Sequence, residues 1–223
     1  MSRQSPSGKP ASDLILSAYV GTNDELFPRI LKLYVALGSK VADVTFGNGT
    51  FWKQIPSGSY EVHGTDLLKG VDARHLPYGD GTMDCVVLDP PYMHSSGGTA
   101  YKDDQHAAFG RYRNNEEVRS SDGHRDVLQL YQDCADEALR VLRRGGVLLL
   151  KCQDEVAVNR QRLTHVEILL GLTKDWICED LFVLVRRGRP SVSRQLKQLH
   201  ARKAHSYFLV LRKIDGPKVW TGP

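Results

Sequence analysis

One segment constrains this chain more than any other: the run Cys85-Val86-Val87-Leu88, followed without a break by Asp89-Pro90-Pro91-Tyr92. The apolar run suits a strand, and the two prolines end it. Proline fixes its own φ, has no N–H to give to a ladder and pushes its predecessor towards extended geometry. A carboxylate, two rigid rings and an aromatic side chain therefore form a stiff platform at the carboxyl end of a strand, which is the edge where open α/β sheets bind ligands. Taken alone, a strand stop with a proline turn and a half-buried tyrosine accounts for the same four residues.

A second motif lies upstream. Val41-Ala42-Asp43-Val44-Thr45-Phe46-Gly47-Asn48-Gly49-Thr50 reads as a short strand entering a glycine-containing turn and then a helix. Glycines there permit tight turning and close backbone approach to a ligand, although a lone Gly-x-Gly is common in proteins that bind no nucleotide. The next strand, Glu61 to Thr65, ends on Asp66, about 20 residues past the glycines, where nucleoside-binding α/β folds hold ribose hydroxyls. Asp72 opens Asp72-Ala73-Arg74-His75-Leu76-Pro77 and then comes the strand to Asp89, so four successive strand ends are expected to carry polar groups.

On these residues the chain resembles the class I S-adenosylmethionine-dependent DNA amino-methyltransferases of the Asp-Pro-Pro-Tyr family, which act on adenine N6 or cytosine N4. The resemblance implies a Rossmann-like α/β fold with a mostly parallel seven-stranded sheet and helices on both faces. It implies S-adenosyl-L-methionine as cofactor, with Gly47 and Gly49 under its methionine part, Asp66 on the ribose, and Asp72 with the Ala73 backbone at the adenine. Asp43, Thr45, Phe46, Thr50, Leu67 and Thr22 complete the cofactor side, which Asp89 borders. Asp89, Pro90, Pro91 and Tyr92 would be the catalytic set. One departure stands out: the common family form is Asp-Pro-Phe-x-Gly-Ser-Gly-Thr, and here Val44, Thr45 and Asn48 replace its Pro, Phe and Ser. An aromatic contact with the cofactor would then have to come from Phe46 or from elsewhere in the chain.

At 223 residues and 41% hydrophobic content the chain can bury a large core within one α/β unit, expected over residues 13–214 with polar tails at 1–12 and 215–223. Cys85, Cys134, Cys152 and Cys178 form no Cys-x-x-Cys pair, which argues against a zinc site or a disulfide framework and favours a reducing, cytoplasmic setting. Residues 1–12 lack the apolar centre of a signal peptide, and Val147-Leu148-Leu149-Leu150 is too short to cross a bilayer.

Alternating strand and helix signals imply a largely parallel sheet. Helices are expected near 24–37, near 50 and over 127–142, where Leu128, Tyr131, Ala135, Ala138, Leu139 and Leu142 fall at three-and-four spacing before Arg143-Arg144-Gly145-Gly146. Strands are expected at 41–45, 61–65, 84–88, 146–152, 176–185 and 206–212.

Two segments do not fit this scaffold. Residues 93–123, rich in Gly, Ser, His, Asn and Arg with Tyr101, Phe109 and Tyr112 among them, read as a lid or substrate clamp. Residues 186–205 are basic, and Leu181 to Ile214 contains neither Asp nor Glu. Arg186, Arg187, Arg189, Arg194, Lys197, Arg202 and Lys203 are therefore candidates for phosphate contact, in place of the mixed signs of an ordinary solvated loop. Lys151, Gln153 and Asp154 are candidates to line a target pocket, or simply end their strand. Gly21-Thr22-Asn23-Asp24 suits a cofactor contact or a helix cap equally, and His94, His106, His200 and His205 have no metal-ligand spacing.

The chemistry expected is methyl transfer to an exocyclic amine, whose lone pair is delocalised into the base. The Asp89 carboxylate and the Pro90 carbonyl would accept both amine hydrogens, and Tyr92 would stack on a flipped or single-stranded base. No separate recognition domain is expected after Tyr92, so sequence readout would rest on 93–123 and 186–205. The substrate expected is adenine N6 in DNA. Cytosine N4, an RNA base and a non-catalytic nucleic-acid binder on the same scaffold are the alternatives.

Overall fold

The computed structural model describes residues 14–91, 123–157, 159–188 and 199–214. The chain runs through β1 (Ala18–Gly21), α1 (Asn23–Tyr34), β2 (Lys40–Asp43), β3 (Glu61–Gly64), β4 (Met83–Leu88), α2 (Gly123–Val141), β5 (Leu142–Cys152), β6 (Glu155–Ala157), β7 (Arg160–Arg162), α3 (Thr164–Leu172), β8 (Trp176–Arg186) and β9 (His205–Lys213). Single 3-10 turns occupy Thr50–Trp52 and Leu67–Lys69.

Seven strands form one sheet in the order β1-β8-β9-β5-β4-β2-β3. Pairings are parallel except those of β9, which runs antiparallel to both β5 and β8. The central strands are buried on both faces, which is why Cys85–Leu88 and Val147–Leu150 are continuous apolar runs and do not alternate. Val86, Leu88, Leu148 and Leu150 pack against the Val127, Tyr131, Ala135 and Ala138 stripe of α2. On the other face Cys85, Val87, Val147 and Leu149 meet Leu26, Phe27, Ile30 and Leu31 of α1, closed off by Phe51.

Several elements differ from the sequence expectation. The edge strand β1 was not foreseen: its four residues carry no alternation, and it exists because Ala18–Gly21 pair with Val183–Arg186. The helix expected near residue 50 is only the 3-10 turn Thr50–Trp52, and α1 ends at Tyr34, short of 37. Arg143 to Gly146 do not form a loop after α2, because β5 starts at Leu142 and bulges there: Met83 pairs with Leu142 but Cys85 with Val147. Gly145, at φ 68°, takes the left-handed conformation that this bulge requires. Asp72 is not at a strand end; it lies in the turns between β3 and β4. The β6–β7 hairpin and α3 were also not foreseen.

The start of α2 is pinned by a buried histidine. His124 is 2% exposed, with Nδ1 2.9 Å from Glu155 Oε1 and Nε2 3.1 Å from Glu167 Oε2. Burial by itself would lower its pKa, but the two carboxylates outweigh it and raise the imidazole above its ordinary value. Among the described residues no helix is long and apolar enough to cross a membrane.

A histidine whose pKa is raised by folding contributes stability that is complete below its unfolded value and is lost as pH rises through the folded one. His124→Gln is therefore expected to cost about 1.5–3 kcal/mol at acid to neutral pH, the range for hydrogen bonds to charged groups. The loss should shrink at alkaline pH, as read from urea unfolding midpoints at each pH.

Candidate active site at the carboxyl edge of the sheet

Strand register brings the polar residues of the sequence motifs together. Asp43, the last residue of β2, pairs with Val87, and Leu88 pairs with Leu150, so Asp89 and Lys151 are the next residues on neighbouring strands. Side chains alternate along a strand, so both share the α1 face with Val87 and Leu149. Lys151 Nζ lies 3.1 and 3.0 Å from the two Asp89 carboxylate oxygens. The Asp89 N–H donates to Thr45 Oγ1 at 2.7 Å, which ties the catalytic candidate to the glycine turn. Pro90 and Pro91 are buried behind it, whereas Tyr92 lies outside the described residues.

Asp43 is 1% exposed and accepts from Trp52 Nε1 at 2.7 Å and from the Thr45 N–H at 3.2 Å. Burial pushes its pKa up to about 7, against those two hydrogen bonds, and the carboxylates of Asp89 and Asp66 add to the rise. Sequence reasoning missed Trp52. Its spacing from Asp43 carries no signal until the 3-10 turn folds it back.

The glycine turn has left-handed residues at Gly47 (φ 49°) and Gly49 (φ 65°). A Cβ on Gly47 would find nothing closer than the Thr45 carbonyl oxygen at 4.0 Å, so this backbone lies open to a ligand. At Gly49 and Gly64 a Cβ would fall 2.9 and 2.5 Å from the Phe46 ring, which fills the space beside both and has Lys69 Nζ 5.0 Å from its centroid. Asp66 accepts from the N–H groups of Gly47 and Leu68, each at 2.9 Å, so one carboxylate joins the glycine turn to the turn containing Leu67. Asp72 is held by the Arg74 guanidinium, Nη2 at 2.6 Å and Nε at 3.0 and 3.1 Å. Burial would raise its pKa, yet Arg74 outweighs burial and holds the carboxyl below its usual range. Ala73, beside it, is buried.

No protein-family model matches the chain, and no curated protein matches it in sequence. Among solved structures it is similar to TrmN from Thermus thermophilus, with TM-score 0.50 and 17% identity over 86% of this chain and 49% of that one. It therefore spans about half the length of that protein. The [4+2]-cyclase SpnF gives TM-score 0.51 and 15% identity over 86% of this chain and 82% of that one. An rRNA methylase from Streptococcus thermophilus gives 0.46 and 14% over 88% and 99%. The fold is the Rossmann-like methyltransferase fold. Identities this low establish the fold alone, and a cyclase among the neighbours shows why chemistry must be argued from the site.

Around this methyltransferase-type sheet the remaining candidates are placed unevenly. Thr22 caps α1, its N–H donating to Glu25 Oε2 at 2.9 Å. Next to it, Asn23 Oδ1 is buried with no hydrogen-bond partner. Arg186 ends β8 opposite Gly21, and Arg187 Nη2 lies 3.1 Å from Glu25 Oε1. The counter-charge that the acid-free stretch lacks in sequence thus arrives from α1. Arg202 is exposed and Lys203 half-buried; Arg189, Arg194 and Lys197 lie outside the described residues. So does the expected lid at 93–123, apart from Gly123, which opens α2. His200 Nε2 is 3.0 Å from the Asn159 carbonyl oxygen, joining the basic segment to the β6–β7 hairpin. Asp154 binds His165 Nδ1 at 2.7 Å and Tyr207 Oη at 3.3 Å, so it anchors a stacked His165–Tyr207 pair.

The Asp43 carboxyl yields a sign-definite test. Between its unfolded value near 3.8 and its folded value of about 7 the native state keeps a proton that the unfolded chain has lost, so stability falls as pH rises across that window. Above the window the deficit is on the order of 4 kcal/mol, at 1.36 kcal/mol per pKa unit. Asp43→Asn is expected to unfold at higher urea than the wild type at alkaline pH, with the difference vanishing near the acid end of the window.

Proposed function

We propose that this chain is an S-adenosylmethionine-dependent methyltransferase that transfers a methyl group to the exocyclic N6 of adenine in DNA, on a base that is flipped or single-stranded. The observation that carries the reading is Asp89, fixed at the carboxyl end of β4 by Thr45 on one side and Lys151 on the other, directly before two buried prolines.

The residues present fit the cofactor. Gly47 leaves open backbone for close approach, Asn23 Oδ1 is a buried acceptor without a donor, and Asp66 retains acceptor capacity beyond its two N–H partners for ribose hydroxyls. Asp43, Asp66 and Asp89 suit a ligand that carries positive charge on sulfur and on its α-amine. When bound, the cofactor would supply a methyl group to the nitrogen lone pair, its sulfur keeping the pair of the broken S–C bond, and the methylated nitrogen would release one proton to solvent.

The chain's own residues orient the amine. Asp89 has about four lone-pair positions, of which Lys151 uses one on each oxygen, leaving the carboxylate able to accept an amine hydrogen. The Pro90 carbonyl, with no N–H of its own residue beside it, would serve as the second acceptor, and Tyr92 would stack on the base. Drawing both hydrogens aside weakens delocalisation of the lone pair and aligns it with the methyl group. Arg186, Arg187, Arg189, Arg194, Lys197, Arg202 and Lys203 would meet phosphates, where each contact releases counterions; Arg187 does so in competition with Glu25.

The test is to incubate the protein with methyl-labelled S-adenosylmethionine and duplex DNA, single-stranded DNA or RNA in turn, then digest to nucleosides. Label is expected in N6-methyldeoxyadenosine, and Asp89→Ala is expected to lower the rate by at least about 100-fold while leaving DNA affinity intact. Label in N4-methyldeoxycytidine or in a ribonucleoside moves the substrate but keeps the site. Methylation unchanged by Asp89→Ala sinks the assignment.

A further inference from the structure

Lys151 is among the least accessible charged residues described, 4% exposed at the end of β5. A lone buried ammonium is costly, and here both oxygens of Asp89 compensate it, supported by the ring faces of Phe51 and Phe208 with centroids 5.8 and 6.0 Å from Nζ. The backbone of Lys151 is fixed as well. Tyr131 of α2 donates its hydroxyl to the Lys151 carbonyl at 3.0 Å, and the residue continues the β4–β5 ladder directly after Leu150. Both partners of the pair are thus set by strand register and packing, with little freedom to swing away.

Asp89 needs such a partner. Asp43 is buried on the neighbouring strand within electrostatic range of it, and Asp66 adds to the same negative site. Cys152, the next residue on β5, is a buried thiol whose pKa burial raises well above its ordinary value, so it stays neutral and adds no further negative charge. Thr45 contributes only a neutral hydroxyl, which accepts from the Asp89 backbone N–H. Among the described residues, Lys151 is the cation set against Asp89.

We propose that Lys151 is the positioning residue for Asp89: its ammonium, set between both carboxylate oxygens, fixes the plane of the carboxylate so that an oxygen is presented to the incoming amine. This rests on the reading of Asp89 as the amine acceptor. Lys151 touches no reacting atom; it acts through the carboxylate.

The experiment compares methylation rates of the wild type, Lys151→Met and Lys151→Arg. The rate of Lys151→Met is expected to fall at least roughly ten-fold below the wild type as the carboxylate loses its fixed plane. Lys151→Arg, which keeps the charge, is expected to restore most of the rate. Affinity for the cofactor, measured by calorimetry, should be the same in all three. On cofactor-free protein labelled with nitrogen-15 at lysine, the Lys151 ammonium should give a slowly exchanging signal that is lost in Asp89→Asn. A Lys151→Met rate equal to that of the wild type overturns the positioning role while leaving Asp89 as acceptor. Absence of methylation by the wild type, or indifference of the rate to Asp89→Ala, instead brings down the functional reading beneath it. Should Lys151→Met fail to fold, the ammonium signal decides the matter, and its persistence in Asp89→Asn overturns the proposal.

Discussion

The parallel register of β2, β4 and β5 is the constraint on which the rest of the site depends. These strands sit in the middle of the sheet, covered by α1 on one face and α2 on the other, so their side chains must be apolar along their whole buried length. Polar residues can enter only where the strands leave the core. Because the strands are parallel and their ends are level, the first polar residues beyond the core, Asp89 and Lys151, emerge side by side, with Asp43 opposite Val87 just below them. A slip of one residue in either pairing would turn Asp89 or Lys151 to the α2 face, where Leu88 and Leu150 now pack.

The electrostatics of this edge follow from that geometry. Three carboxylates converge on the β2–β3–β4 end of the edge, and one buried ammonium answers them from β5. Asp43 bears the strain of the arrangement, since it is the most buried acid and is pushed towards neutrality, whereas Asp89 has its own cation. A positively charged ligand beside Asp43 and Asp66 would relieve the mutual repulsion of these acids. Asp66 also acts as a clamp, because by bonding Gly47 and Leu68 it holds together two turns that no strand ladder connects.

A good part of this was legible in the residues themselves. The Cys85–Leu88 run, the prolines after it and the glycine turn after Asp43 located the sheet edge, and the three-and-four spacing over 127–142 found most of α2. The missed elements share a cause, because β1, β6–β7 and α3 are short and owe their form to neighbours. The 3-10 turn at Thr50 likewise defeated a helix expectation, its aromatic residues being recruited to close the core against Phe27 and Phe208. The basic stretch read as uncompensated because the sequence within it holds no acid, but Glu25 reaches Arg187 from α1.

By itself, the sequence determined where strands must stop and which residues stand at those stops, because proline, glycine and runs of apolar side chains act locally on backbone conformation and burial. The tertiary structure decided which of those residues face one another. Nothing in the spacing of Asp89 and Lys151 says that they meet; that follows from β4 and β5 being adjacent, in register and of matching side-chain parity. Pairing across a sheet is set by long-range packing, and the charge balance of the site is a consequence of that pairing.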